Sequence, residues 1–174
     1  MTDESFQKEF LDSHNAYRAM HKAPPMALSE ELMASAQKWA NHLLALGKLE
    51  HSSTGNGENV FFMSSSSGLK LTGKEAVNSW YNEVKDYNFS RPGFQGNTGH
   101  FTQVVWKAST ELGVGMATDG KEAFVVGQYH PAGNISNPGF FEDNVFPKAG
   151  RDAADDSSAS KEPEVKPEKS CSVL

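Results

Sequence analysis

A single cysteine, Cys171, in a chain of 174 residues excludes an intramolecular disulfide framework, so the fold must rest on an apolar core and its hydrogen bonds. No apolar run approaches the roughly 18 residues of a membrane-spanning helix. The opening residues, MTDESFQKEFLDSHN, have neither the basic start nor the apolar stretch of a secretory signal, and the expectation is a cytoplasmic, non-secreted protein. An excess of basic charge is also missing: 16 Lys and Arg stand against 22 Asp and Glu, a formal net charge of -6, which leaves no footprint for nucleic acid. Long internal repeats, coiled-coil heptads and a G-x-S-x-G nucleophile elbow are absent as well.

What is present reads as one globular domain, residues 1–147, followed by a tail, residues 148–174. Phe6, Phe10 and Tyr17 recur at helical spacing between Asp3 and His21, and Pro24-Pro25 marks where that helix has stopped. Ser29 suits an N-cap before the stripe Leu32, Ala36, Trp39 and Leu43, with Gly47 as the stop. Val60-Phe61-Phe62-Met63 predicts a brief strand. Thr72 and Glu75 form a capping box opening a helix with the stripe Ala76, Trp80 and Tyr87. Periodicity leaves His100 to Trp106 open between helix and strand. Asp119-Gly120, between two runs rich in β-branched residues and glycine, predicts a hairpin with a tight type I′ turn. Trp39, Trp80 and Trp106 are expected in the core.

Glu83 falls on the apolar stripe of its helix, where a carboxylate must be paired, hydrogen-bonded or beside a cleft. His51 and His100 are its natural companions. Two neutral imidazoles can bind a divalent transition metal, and two nearby carboxylates can fix their tautomers.

Four separate segments then match, in order, those of the CAP family (cysteine-rich secretory proteins, antigen 5 and pathogenesis-related 1): His14-Asn15 with Tyr17-Arg18, His51-Ser52 with Gly57-Glu58-Asn59-Val60, Trp80-Tyr81 with Glu83, and Gly99-His100-Phe101-Thr102-Gln103-Val104-Val105-Trp106. Gly127 to Asn134, read as GQYHPAGN, is similar to a further signature of that family without its usual cysteine. Tyr87-Asn88-Phe89, the loop Arg91-Pro92-Gly93-Phe94, and Gly139-Phe140-Phe141-Glu142 resemble the non-secreted, Golgi-associated branch. The resemblance implies an α/β fold, a three-layer α-β-α sandwich with a mostly antiparallel central sheet. It also implies that His51, Glu58, Glu83 and His100 converge in a central cleft, where His51 and His100 bind a divalent metal, commonly zinc. With two strong protein ligands, such binding is expected to be weak. A homodimer is implied too.

Three functions are open at this point. The first is a non-enzymatic binding module that docks lipids or protein partners through the His/Glu cleft. The second is a metal-dependent or serine hydrolase in the same cleft, with a nucleophile from Ser64 to Ser67 near His51. In the third the tetrad only stabilises the fold. His21, His42 and His130 are read as surface or packing histidines, and the His14 to Arg18 segment as organising helix packing.

The tail is rich in Asp, Glu, Lys, Ser, Ala and Pro, a composition expected to remain disordered. Cys171-Ser172-Val173-Leu174 fits the C-a-a-X pattern for prenylation of Cys171. Thr2 stands where the Golgi-associated branch carries a myristoylated glycine, and the prenyl group is expected to tether the domain to the cytosolic face of Golgi or other endomembranes. No polybasic patch supports that tether: the tail has five basic residues (148, 151, 161, 166, 169) against six acidic ones (152, 155, 156, 162, 164, 168).

Overall fold

The computed structural model describes residues 4–68 and 71–148, together with the backbone of Lys169–Ser172. Helix α1 spans Glu4–Met20, and its buried stripe is Phe6, Phe10, His14 and Arg18. The stripe that begins apolar therefore ends polar. Tyr17, expected on it, is half-buried and stacks on Tyr81 at 3.8 Å. After the short strand β1 (Ala27–Leu28), helix α2 runs from Glu30 to Leu46, with the Ser29 side chain accepting from the Leu32 amide. Gly47 ends it in the left-handed conformation, φ 79°, where a glycine avoids the Cβ penalty.

Strand β2 (Gly57–Ser64) is longer than the apolar run alone predicts. Helix α3 (Gly73–Tyr81) opens with the expected capping box of Thr72 and Glu75. It does not continue to Tyr87. At Asn82 the chain tightens into a 3-10 turn, Asn82–Asp86, after the Asn82 amide has closed the last α-helical bond, to the Asn78 carbonyl. Glu83 thus lies just beyond the helix whose stripe singled it out. The Gly99-His100 segment is helical, α4 (Gly99–Val104).

Strands β3 (Glu111–Thr118) and β4 (Glu122–His130) form the predicted hairpin. Its turn differs: Gly120 alone has positive φ, 94°, instead of the two consecutive positive values of type I′. A short helix, α5, covers Phe140–Asn144. The sheet order is β1-β3-β4-β2-β5, antiparallel except for the parallel pair β1 and β3. Strand β5 is Lys169–Ser172. For these four residues the expectation of a disordered tail is corrected, because their backbone is paired; residues 149–168 and 173–174 of the predicted tail lie outside the described residues.

Two apolar layers sandwich the sheet. On one face α2 supplies Ala36, Ala40 and Leu43 against Val60, Phe124 and Val126. On the other, Phe6, Phe10, Trp80, Phe101 and Val104 pack on Phe61, Val125 and Tyr129. Val60 and Phe61 are adjacent, both 0% exposed, and belong to opposite layers, as strand alternation requires. Trp80 and Trp106 are core residues, but Trp39 is half-buried, with its indole N–H donated to the Glu50 carbonyl at 2.8 Å.

Close approach of α2 to β3 depends on missing side chains. A Cβ at Gly113 would stand 2.3 Å from the Leu32 carbonyl carbon, and one at Gly115 would stand 2.3 Å from Gln37 Cα. Both obstacles are backbone, so the helix itself must move. Gly115→Ala is expected to cost about 3 kcal/mol. That corresponds to a melting temperature lower by about 9 °C, readable by circular dichroism; a change within about 2 °C would show that α2 floats freely on the sheet.

Candidate functional site

Glu58 is the second residue of β2 and 1% exposed. Burial alone would raise its pKa, but four donors answer the carboxylate and hold it below the usual value. His51 Nδ1 donates to Oε1 at 3.0 Å and the Ser52 amide to the same oxygen at 2.8 Å. The Ser52 hydroxyl and Gln128 Nε2 donate to Oε2, the latter at 3.0 Å. The loop after α2 is thereby tied to the sheet through one carboxylate.

Glu83 performs the same service for α4. Its Oε1 accepts from the His100 and Phe101 amides at 2.9 and 3.1 Å, two of the N–H groups that a helix start leaves without intrahelical partners. Its Oε2 accepts from His100 Nδ1 at 2.7 Å. No side chain from Thr98 caps α4, and the carboxylate from the 3-10 turn takes that place.

Two His–Glu pairs result, His51 with Glu58 and His100 with Glu83. Asn59, next to Glu58, links them: its Nδ2 donates to the His100 carbonyl at 3.2 Å and to the Tyr129 hydroxyl at 3.2 Å. The Tyr129 hydroxyl in turn donates to His14 Nε2 at 2.7 Å, while His14 Nδ1 donates to the Phe10 carbonyl at 2.9 Å. A polar relay thus runs from the tetrad to α1. Burial raises the Tyr129 pKa, so its hydroxyl keeps its proton for this bond.

A carboxylate on Nδ1 fixes an imidazole with its lone pair on Nε2, the arrangement that carboxylates impose on metal-binding histidines. His100 is 3% exposed, its ring is parallel to that of Trp80 (6.2 Å, 7°), and its Nε2 is buried with no hydrogen-bond partner. A ring so prepared fits a soft, N-binding divalent cation. Among the described residues, no group of three or more His, Cys, Asp or Glu side chains is placed to hold a metal.

Ser64 to Ser67 do not join this site. Ser64 pairs with Glu122 at the far end of β2, whereas Glu58 pairs with Gln128. Six residues of strand separate them by roughly 20 Å, so the expected approach of a serine from that run to His51 is not made.

Among the remaining histidines, His42 and His130 are exposed and His21 is buried. His21 accepts from the Tyr81 hydroxyl at 2.7 Å and donates to the Phe146 carbonyl at 2.7 Å, fastening α1 to the segment after α5. Ser52, Asn59, Gln128 and Tyr129 are site residues to which sequence reading assigns no role beyond membership of matching segments. Two of them carried a signal: Asn59 and Gln128 are polar residues within the mostly apolar stretches of β2 and β4, and each must find partners when buried.

Fold and site together define a three-layer α-β-α domain organised around paired histidines and glutamates. The chain belongs to the CAP family: the profile of the cysteine-rich secretory protein family matches residues 11–129. It is 45% identical over 148 residues to Golgi-associated plant pathogenesis-related protein 1 of Homo sapiens, covering 82% of this chain and 93% of that protein. It is 39% identical over 147 residues to protein PRY2 of Saccharomyces cerevisiae, covering 83% of this chain and 42% of the yeast protein. Among solved structures, that of NaASP2 with Zn2+ superposes with a TM-score of 0.67 at 26% identity, covering 84% of this chain and 87% of the other.

Proposed function

We propose that this protein is a non-enzymatic, membrane-tethered CAP module that docks lipids or protein partners through the His/Glu site. The observation that carries this reading is the pairing of both carboxylates with fixed donors, which commits Glu58 and Glu83 to positioning loops and imidazoles. Ser64, the start of the serine run offered for a hydrolase, is at the opposite end of β2. Golgi association is supported by the human relative that carries it in its name. Cys171 supplies the tether in this proposal, on the cytosolic face of Golgi or other endomembranes, and self-association as a homodimer belongs to the same reading. Fractionation of cells expressing Cys171→Ser tests the tether: the variant is expected to shift to the soluble fraction, and unchanged membrane partition overturns this part.

His51 and His100 would hold a zinc ion, which would supply a positively charged anchor for an anionic group. Two imidazoles fall short of the three protein ligands usual at catalytic zinc, so exchangeable binding is expected. Titration of zinc into the protein should give weak heat that disappears in His100→Ala. The solved relative with Zn2+ supports this experiment.

A second reading is favoured by Glu83 at the start of α4 and by Glu58 on the Ser52 loop: the tetrad holds the fold together. Zinc then produces no heat, and His100→Ala lowers the melting temperature without altering any binding.

A further inference from the structure

We propose that the outer edge of β2 is a strand-docking surface that the chain fills with its own segment Lys169–Ser172, a displaceable cover beside the His/Glu site. The β2 sequence carries none of the usual protection of an exposed edge. Edge strands are commonly blunted by charge, proline or a bulge, because a bare row of N–H and C=O groups pairs with any extended chain. Between Asn59 and Met63 there is no charge and no proline, and the register with β4 runs unbroken from Gly57 to Ser64. Glu58, the nearest charge, is turned to His51, Ser52 and Gln128.

Strand β5 meets that need. It pairs antiparallel with β2 in the register Asn59↔Ser172, Val60↔Cys171, Phe61↔Ser170 and Phe62↔Lys169. Ser172 therefore comes opposite the residue that follows Glu58 and that bonds the His100 carbonyl. Four residues are a short strand, and their docking must offset closure of the twenty-residue connection 149–168. Such a cover is held weakly enough to be displaced. Backbone pairing at an edge is also the mode by which extended peptides are captured, so the surface uncovered on release fits a partner in extended conformation. The backbone of residue 171 cannot stay in this ladder and at the same time leave the domain, which makes docking and any use of the tail elsewhere mutually exclusive.

Hydrogen exchange of the full chain tests the proposal. Proline lacks the N–H that a ladder needs, and neighbouring residues alternate between bonded and non-bonded positions. One of Ser170→Pro and Cys171→Pro must therefore break a bond to β2. Of residues 59–62, the alternate amides that face β5 are expected to exchange severalfold faster in at least one of the two, while those that face β4 stay protected, with the melting temperature unchanged and with wild-type protection independent of protein concentration. Cys171→Ser, which removes the tether of the functional proposal, should keep the wild-type exchange, so the two ideas fail separately. Unchanged exchange in both proline variants overturns the inference. Protection that falls on dilution overturns it equally, since the edge would then be covered by a second copy.

Discussion

Replacing Arg18 by methionine is expected to lower stability by about 4 kcal/mol and the melting temperature by about 12 °C. Arg18 is 0% exposed, and its guanidinium donates only to backbone carbonyls: Pro24 at 2.9 Å, Val104 at 3.0 Å, Trp106 at 2.9 Å, Lys107 at 3.4 Å and Ser109 at 2.8 Å. Those carbonyls belong to the turn after α1, to the last residue of α4 and to the irregular chain that follows it, where few carbonyls reach a sheet or helix ladder. Five donors in a rigid fork suit this task as no other side chain does. Burial pulls the Arg18 pKa down to about 10, which still leaves a cation at neutral pH. Methionine fills similar space but donates nothing, and a dry, abandoned carbonyl costs about 1–3 kcal/mol. The Trp106 carbonyl keeps the Ser109 amide and the bonds to Pro24 and Lys107 are only part-buried, so the loss falls mainly on Val104 and Ser109. Lysine keeps the charge with three donors and should recover roughly half of the loss. Thermal melting of the three proteins measures this, and a methionine variant within about 3 °C of wild type would show that the carbonyls find water instead.

Arg18 also marks where reading from sequence reaches its limit. Periodicity placed α1, α2 and α3 because their stripes carry large apolar residues, and the caps of α2 and α3, Ser29 and Thr72, act within three residues along the chain. The hairpin at Asp119-Gly120 was legible for the same local reason, although the turn itself settles on positive φ at Gly120 alone. Polar residues that serve distant backbone have no such local signature. His14 and Arg18 extend the buried stripe of α1 as polar side chains, and their partners lie 115 and as many as 91 residues away. Glu83 was found because a carboxylate on an apolar stripe is anomalous, yet its actual setting is a 3-10 turn that aims it at the start of α4. The anomaly was real, while the continuous helix used to detect it was not. His51 and Glu58 were legible as members of matching segments; Asn59, which connects the two pairs, becomes meaningful only when the register sets β2 against β4 and α4.

Acid is expected to destabilise the domain well above the range in which carboxylates protonate. His14 is fully buried, its Nδ1–H is committed to the Phe10 carbonyl, and its Nε2 accepts the Tyr129 hydroxyl, leaving no room for a second proton. Burial, only partly opposed by the Phe10 carbonyl and reinforced by the Arg18 cation one turn away, pushes its pKa down to about 3. In the unfolded chain the group titrates near its ordinary value of 6.5. Below 6.5 the unfolded state therefore binds a proton that the folded state refuses. The stability is complete above pH 6.5 and is lost as pH falls toward 3, at about 1.4 kcal/mol per unit, or about 2 kcal/mol by pH 5. His21, whose pKa is lowered first by burial, acts in the same direction. Glu58 does not supply the loss in this interval: its pKa lies below the usual carboxylate value, so its contribution persists above pH 4.5 and fades only in stronger acid. Urea denaturation at pH 7.5, 6 and 5 should show the decline. In parallel, the ring resonances of His14 in the folded protein should hold the neutral pattern throughout, with Nδ1 protonated. A stability that is flat from pH 7.5 to 5, or a His14 ring that titrates near 6.5 in the native state, would mean that water reaches α1 and that the relay from Phe10 to the His/Glu site is open to solvent.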